Sequence, residues 1–223
     1  MINFLGICGS PIKDSNTELI LREGLRVVEQ DGVKTEVFTL HDKKFEDCIH
    51  CNWCMAKQRE GSYCAVEDDI QDLFPKVLAA DALMVASPVY LGRLSGRLAS
   101  ALDRLRCFIH GKHYGGQLKH KVGGAIAVGW FRNTGIETTL NSIHWAFMTF
   151  QMVIATTGTM ATFGGGGVSS LSGAGEFDPK DRKQVLKDEF GLKTARETAK
   201  SMLELARIMK AGKLPSPSSR SSR

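Results

Sequence analysis

The sequence predicts an α/β protein with a doubly wound parallel sheet that carries helices on both faces. Five short apolar runs alternate with longer amphipathic runs, and this alternation is typical of parallel strands joined by helices. Of the 223 residues, 43% are hydrophobic and 24% charged, so the chain can bury a full core and should form one domain. The sequence shows no internal repeat.

The strands are indicated by short runs that are rich in aliphatic residues. They are expected at residues 2–8, 33–40, 82–87, 121–129 and 152–158. The second run alternates between apolar and polar residues, which is typical of a strand. Five strands in alternation with five helices fit a flavodoxin-like sheet with the strand order 2-1-3-4-5.

The helices are indicated by apolar residues at helical spacing and by stop signals. The first helix ends at the sequence QDG, residues 30–32. The second, over 66–81, begins with acidic residues and contains Pro75, which should kink or delay it. The third carries one stripe of leucines at positions 94, 98, 102 and 105. The fourth covers about 135–149, and a closing helix ends the fold.

The domain is expected to cover residues 1–210. A cysteine-rich insertion, 41–67, follows the second strand, and a glycine-rich loop, 164–167, precedes the closing helix. The last residues, 211–223, are poor in apolar side chains and rich in serine and proline. This composition predicts a disordered tail.

The charge of the chain gives little support to a nucleic-acid partner. The formal net charge is +5, but four cationic residues lie in the last fourteen positions, which contain no acidic residue: Lys210, Lys213, Arg220 and Arg223. The remainder carries only +1, so no basic patch is predicted.

The sequence also favours a cytoplasmic location without membrane association. No apolar run reaches the length of a membrane span, and residues 1–8 are typical of a buried strand rather than of a signal peptide. In that reducing compartment the six cysteines should not form disulfides.

The loop after the first strand, GSPIKDSNT at 9–17, is suited to a phosphate. Backbone N–H groups at a helix start, short hydroxyl side chains and Lys13 together favour an anion. Neither a GK[ST] ending nor a G-x-G-x-x-G motif is present, so a single terminal phosphate fits better than a nucleoside triphosphate or a dinucleotide. The alternative is an ordinary capped turn, since Ser, Asn and Thr favour helix N-caps.

The loops after the third and fourth strands are suited to a flat ligand. In the first of them Pro88 fixes a turn, Gly92 leaves room for a ring, and Tyr90 either lies against that ring or packs under its own loop. In the second, Trp130 and Phe131 lie near a loop tip, where exposed aromatic residues indicate a ligand or a partner subunit. A planar, partly apolar monophosphate such as flavin mononucleotide (FMN) satisfies all three loops.

With these loops, GSPIKDSNT and SPVYLGRLSGRLASALDRL, the chain resembles the NAD(P)H-dependent FMN reductase family over most of residues 1–210. With the cysteine-rich insertion it is similar to the iron–sulfur flavoproteins of that group. The resemblance implies that the FMN phosphate is held by Ser10, Lys13, Ser15, Asn16 and Thr17. It implies ring contacts from Ser87, Pro88, Val89, Tyr90, Leu91 and Gly92, and from Gly129, Trp130, Phe131, Arg132, Asn133 and Gly135.

The resemblance also implies partners. Members of the family are homo-oligomers, so we expect a dimer or tetramer whose subunit contacts help to build the flavin site. The expected electron donor is ferredoxin or NAD(P)H. In this reading Arg132, or the backbone N–H groups of its loop, stabilises negative charge on the reduced ring.

The cysteine-rich insertion carries the spacing C-x2-C-x2-C at Cys48, Cys51 and Cys54, with Cys64 after a gap of nine residues. This spacing lets each thiolate of one loop reach a different iron of a [4Fe–4S] cluster, whereas zinc sites usually pair two separate Cys knuckles. Zinc and free thiols stay open as alternatives. The remaining cysteines, Cys8 and Cys107, lie in strand and helix patterns and should be buried and inert.

Three functions follow from these patterns. The first is an FMN-dependent oxidoreductase that transfers electrons through a [4Fe–4S] cluster. The second is a cluster-free NAD(P)H-dependent FMN or quinone reductase. The third is a zinc-stabilised binding protein without redox activity. Neither a catalytic triad order nor a pair of carboxylates argues for hydrolysis.

Overall fold

A parallel sheet forms the centre of the computed structural model, which describes residues 1–212. Its strands are β1 (Ile2–Cys8), β2 (Val33–Thr39), β3 (Ala82–Tyr90), β4 (Arg93–Leu94), β5 (Val122–Gly129), β6 (Val153–Ala155) and β7 (Gly165–Val168). The main order is β2-β1-β3-β5-β6, which confirms the predicted order of the five parallel strands. The predicted tail lies outside the described residues, apart from its first two positions.

Helices cover both faces of the sheet. They are α1 (Asn16–Arg26), α2 (Trp53–Lys57), α3 (Leu73–Ala79), α4 (Gly96–Arg104), α5 (Cys107–His110), α6 (Ile136–Thr149) and α7 (Glu189–Ala211). Side chains of α1 and α7 form the core on one face, and those of α3, α4 and α6 form the core on the other. No helix among the described residues is long and apolar enough to span a membrane.

The fifth position of the sheet differs from the prediction. Instead of one strand over 152–158, β6 pairs with the first half of β5 and β7 pairs with its second half. The run 164–167, predicted as a loop, is therefore mostly strand. A Cβ atom on Gly165 would lie 3.0 Å from the Cα of Ala195 in α7, so glycine is needed for this helix to pack closely on the strand.

The segment after the cysteine-rich insertion is less helical than the predicted helix over 66–81. A short 3₁₀ turn, Asp69–Asp72, precedes α3, and the Asp68 side chain caps it by accepting a hydrogen bond from Ile70 N at 3.3 Å. Pro75 is the third residue of α3, where its missing N–H is not needed. The helix is delayed to Leu73, as the proline predicts.

Asp188 joins three elements at the start of α7. Its carboxylate accepts hydrogen bonds from Gly191 N at 3.1 Å and from Val168 N at 2.9 Å, so it caps the helix and holds the end of β7. It also binds the Arg132 guanidinium at 3.0 Å, and only 6% of its side chain is exposed. The final helix, the split strand and the loop after β5 therefore share one anchor.

We predict that Asp188→Ala lowers the free energy of unfolding by about 3 kcal/mol, because it removes a helix cap and leaves buried N–H groups unpaired. Urea denaturation followed by circular dichroism measures this change. Glu197→Ala is the matched control: Glu197 lies on the same helix in a partly exposed pair with Lys200, and its loss should change stability by less than about 0.5 kcal/mol. Equal midpoints for the two variants would contradict the assigned role.

Candidate functional site

The loops after β1 and β3 are tied together at the carboxyl edge of the sheet. Gly9 N donates to Ala86 O at 2.7 Å, and the Ser95 hydroxyl donates to Gly9 O at 2.7 Å. Ser87 is fully buried, and its hydroxyl donates to Pro88 O and accepts from Ser95 N. Ser87, predicted to contact a ring, therefore uses its side chain to join the two loops.

The loop 9–17 places a helix start next to a tight turn. Ser15 caps α1 by accepting from Glu18 N at 3.2 Å, and the Glu18 carboxylate accepts from Asp14 N at 3.2 Å. The N–H groups of the first helical turn have no partner inside a helix, so they can bind an anion there. The hydroxyl-bearing Ser10 and Thr17 are buried in this loop, and Lys13 is exposed beside it.

Asn16 has a structural partner that the sequence did not indicate. Its side-chain amide donates to Arg182 O at 2.8 Å and accepts from Val185 N at 3.0 Å. The side chain therefore holds the segment before α7. Any contact of Asn16 with a phosphate would use its backbone N–H.

The loops after β3 and β5 meet at two glycines. A Cβ atom on Gly135 would lie 2.5 Å from the Cα of Gly92, and both residues have positive φ, +102° and +76°. Leu91 precedes Gly92 at the tip of the β3–β4 hairpin with a φ of 51° and a fully exposed side chain. Tyr90, beside it, is 44% exposed. An apolar residue held exposed in this conformation indicates a surface that is built for contact.

The loop after β5 is supported by a segment that sequence reasoning missed, residues 169–177. Trp130 Nε1 donates to Gly175 O at 3.0 Å, and Phe131 pairs with Ala174 in an isolated bridge. The Ser170 hydroxyl donates to the carbonyl of Trp130. Both aromatic side chains remain partly exposed, at 37% and 46%. Their positions are therefore fixed within the chain itself.

Arg132 lies in the same loop, and its guanidinium is paired with Asp188. Its charge is thus largely balanced by a buried carboxylate. Only the pattern D-E-F-G at 188–191, an acidic residue before a helix start, could have indicated this partner in the sequence.

The cysteines of the insertion lie around one small cavity. It is lined by Cys48, Cys51, Cys54 and Cys64 and also by Cys107, together with Arg104 and Arg106. All six cysteines of the chain are unpaired. Cys107, expected to be an inert core thiol, is buried as predicted but borders the same cavity. His50, between two of these cysteines, does not line it.

The gap of nine residues between Cys54 and Cys64 is folded back on itself. It contains α2 and a tight turn in which Arg59 and Ser62 pair. Gln58 lies between α2 and this turn, and its side chain is buried, with the residue 3% exposed. Its amide donates to Tyr63 O at 3.1 Å and to Cys107 O at 3.3 Å. The long gap therefore brings Cys64 back to Cys54.

The segment 107–120 packs against the cysteine-rich insertion and forms hydrogen bonds with it. Gln58 Oε1 accepts from His113 N at 3.1 Å and from Tyr114 N at 2.8 Å, and the Tyr114 hydroxyl accepts from Gly61 N at 2.8 Å. The rings of Tyr63 and Tyr114 stack with their centroids 4.6 Å apart. Because of this packing, the cysteine loop is folded against the domain and is not an extended loop on the surface.

The cysteine thiols influence one another. Burial raises the pKa of Cys54, the nearby Cys64 and Cys48 raise it further, and Arg106 opposes them. Burial, followed by Cys54 and Cys64, also raises the pKa of Cys107 well above its usual range. The raised pKa values favour the neutral thiol forms of Cys54 and Cys107, and a bound metal centre is what would favour their charged forms.

The spacing of the side chains distinguishes two kinds of metal centre. In the part of the chain that the structure describes, no three His, Cys, Asp or Glu side chains converge as they do around one ion. A cubane cluster binds each thiolate at a different iron, so its ligands surround a wider volume. Four cysteine side chains around one cavity are the donor set that a [4Fe–4S] cluster uses, so the residues present fit such a group.

The sequence profile of a family described as NADPH-dependent FMN reductase matches residues 2–164. The chain belongs to this family. It is therefore an FMN-dependent oxidoreductase, and the resemblance seen in the sequence is confirmed.

Relatives within the family share most of the length of the chain. An iron–sulfur flavoprotein of Methanocaldococcus jannaschii is 38% identical over 207 residues, which cover 92% of this chain and 98% of that protein. An iron–sulfur flavoprotein of Methanosarcina thermophila is 31% identical over 205 residues, 92% of this chain and 95% of that protein.

A solved structure shows the same fold. The crystal structure of RosB with bound 8-demethyl-8-formylriboflavin-5'-phosphate superposes with a TM-score of 0.72 at 17% identity. The match covers 95% of this chain and 81% of that one. At this identity the similarity concerns the flavodoxin-like fold alone.

We predict that Gly135→Ala weakens FMN binding by about tenfold or more. An alanine at this φ costs about 1–2 kcal/mol, and its Cβ would push the loop after β5 away from Gly92. Fluorescence quenching of FMN by the apoprotein measures the dissociation constant. Gly96→Ala is the matched control, because Gly96 has open space around its Cα and begins α4. An unchanged affinity in Gly135→Ala would show that the contact of the two loops does not shape the site.

We predict that Gln58→Ala exposes Cys107. The change removes buried hydrogen bonds worth about 2 kcal/mol of local stability, which corresponds to roughly 30-fold faster alkylation of this thiol in metal-free protein. Mass spectrometry of iodoacetamide-treated samples gives the rate for each cysteine.

Two controls accompany this measurement. Cys8 serves as an internal reference, because burial raises the pKa of its thiol to about 11 and it lies in the core on the other face of the sheet. The exposed Gln117, in the supporting segment, gives the control variant Gln117→Ala. Equal rates for Cys107 in all three proteins would refute the role of Gln58.

Proposed function

We propose that the protein is an electron-transferring iron–sulfur flavoprotein, with FMN at the carboxyl edge of the sheet and a [4Fe–4S] cluster held by Cys48, Cys51, Cys54 and Cys64. The observation that carries the proposal is the folded cysteine loop, in which four thiols from one insertion line one cavity. The names of the relatives, iron–sulfur flavoprotein at 38% and 31% identity, support it.

The phosphate of FMN is assigned to the loop 9–17. The backbone N–H groups at the start of α1, the hydroxyl-bearing Ser10, Ser15 and Thr17, and Lys13 supply donors and positive charge there. The Glu18 carboxylate is close to this anion site but is paired with Arg22 at 2.6 Å, which reduces its repulsion. Asn16 supports the site through the segment before α7.

The ring of FMN is assigned to the two loops that meet at Gly92 and Gly135. Tyr90 and Leu91 offer exposed apolar surface on one side, and Trp130 and Phe131 offer it on the other. Pro88 and Val89 are the last strand residues before Tyr90 in β3, so Pro88 does not fix a turn as expected, and Gly129 ends β5. Asn133 lies in the loop after β5. When bound, FMN supplies the exchange of one or two electrons, and the chain orients the ring and keeps water from its apolar side.

Arg132 has a smaller electrostatic role in this proposal than the sequence suggested. Its guanidinium pairs with Asp188 and its own backbone N–H donates to Gly173 O at 3.2 Å, so the other backbone N–H groups of its loop are the donors assigned to charge on the ring. The homo-oligomer, dimer or tetramer, a ferredoxin or NAD(P)H donor and a cytoplasmic location are further parts of the proposal. Phe177, which is 61% exposed and lies beside Trp130, supports a subunit contact.

A second candidate is a cluster-free FMN or quinone reductase. The family profile favours it, because that profile describes an NADPH-dependent FMN reductase and ends at residue 164 without reference to a cluster. In that case the cysteines would be free thiols. The third function considered, a zinc-stabilised binding protein without redox activity, is set aside because the chain belongs to the FMN reductase family.

We predict that protein purified without oxygen contains FMN, iron and acid-labile sulfide. Cys64→Ser should lose most of the iron and sulfide and keep its FMN, whereas Cys107→Ser should keep all three, because Cys107 lies outside the cysteine insertion. Absorption spectra with chemical assays of iron, sulfide, zinc and FMN per chain measure this.

The outcomes separate the two candidates. FMN without iron in the unmodified protein would favour the cluster-free reductase. Loss of iron in Cys107→Ser but not in Cys64→Ser would move the fourth ligand to Cys107.

A further inference from the structure

Arg104 is fully buried beside the cysteine cavity. Its side chain has no exposed surface, and it lies at the end of α4, in the wall formed with Cys48, Cys54 and Cys64. A buried guanidinium is costly unless its donors are satisfied, so the partners of each N–H group decide what this residue does.

Four of the five donors of Arg104 are satisfied by the chain. Nη1 donates to Glu46 O at 2.9 Å and to Asp68 Oδ2 at 2.6 Å. Nη2 donates to Val66 O at 3.0 Å and to Asp68 Oδ1 at 3.1 Å. These bonds join both ends of the cysteine loop to one bidentate ion pair, so the position and orientation of the guanidinium are fixed.

The fifth donor, Nε, is different. It is buried and makes no hydrogen bond within the described chain. Cys64 and Cys107 both interact electrostatically with the Arg104 side chain, and both line the cavity beside it. An unpaired N–H of a charged group costs about 1–3 kcal/mol or more when it is buried, and such a donor in the wall of a ligand cavity indicates an acceptor that the ligand brings.

Resting on the proposed function, we propose that Arg104 is a positioning residue for the cluster, whose Nε–H donates a hydrogen bond to sulfur, either the Cys64 thiolate or a cluster sulfide next to it. Such a bond stabilises the more negative, reduced form of an iron–sulfur centre and raises its reduction potential. The buried positive charge acts in the same direction. Arg104 therefore couples the fold of the cysteine loop to the potential of the centre.

Arg106 provides a matched control, because it lines the same cavity without this arrangement. Its Nη2 donates to Asn52 Oδ1 at 2.9 Å and contacts Met55 Sδ at 3.5 Å, and both contacts are exposed. Arg106→Lys keeps the charge near the cavity, and we expect little change in the potential of the centre.

The test is an anaerobic redox titration of the loaded protein monitored by electron paramagnetic resonance. Arg104→Gln and Arg104→Lys should both shift the midpoint potential of the cluster to more negative values relative to wild type and Arg106→Lys. An unchanged potential in Arg104→Gln would overturn the proposal. A wild-type potential in Arg104→Lys would also overturn it, because charge alone would then suffice without the Nε–H.

A second measurement needs no change at Arg104 and decides the matter if these variants fail to fold or to load. The protein is produced in cells supplied with arginine that carries ¹⁵N at Nε, and its cluster is then reduced chemically. Pulsed electron paramagnetic resonance detects magnetic coupling between the ¹⁵N nucleus and the cluster. The coupling should be present in wild type and persist in Arg106→Lys. Its absence in a wild-type sample that holds the cluster would overturn the proposal, whereas a wild-type sample without any cluster would overturn the proposed function instead.

Discussion

The candidate flavin site depends on how closely three backbones approach one another at the carboxyl edge of the sheet. A Cβ on Gly9 would lie 3.1 Å from Ala86 O and 2.7 Å from the Cβ of Leu98, and one on Gly135 would lie 2.5 Å from the Cα of Gly92. No side chain other than hydrogen therefore fits at these two positions. Hydroxyl groups of Ser87 and Ser95 then fix the loops, so the edge is rigid before any ligand binds.

Helix α4 connects this edge to the cysteine cavity. Its N-cap, Ser95, holds the loop after β1, and its last residue, Arg104, holds the cysteine loop. The helix has nine residues and is therefore about 13 Å long. A single rigid element thus fixes the separation of the two candidate sites, and the burial of Leu98 and Leu102 against the sheet keeps that element in place.

The sequence indicated those parts of the molecule that depend on local pattern. The strands β3 and β5 could be predicted because a strand that is buried on both faces consists of a nearly continuous apolar run. The strand β7 was missed because glycines usually break strands, whereas here they allow close packing: Gly165 lies against Ala195 of α7, and Gly167 lies against Ile20 of α1. The cysteine spacing was visible, but the support from Gln58, Arg104 and Tyr114 was not, because it joins residues 36 to 58 positions apart. Likewise, nothing local shows that Asn16 and Ser87 use their side chains for structure.

The split fifth position of the sheet has an evolutionary consequence. Because β6 and β7 pair with separate halves of β5, the segment between them can lengthen or shorten without changing either register. An insertion inside β7 would instead reverse the facing of its residues and bring side chains against α7. Descendants of this chain should therefore vary in length between residues 156 and 164 and keep the glycines that follow.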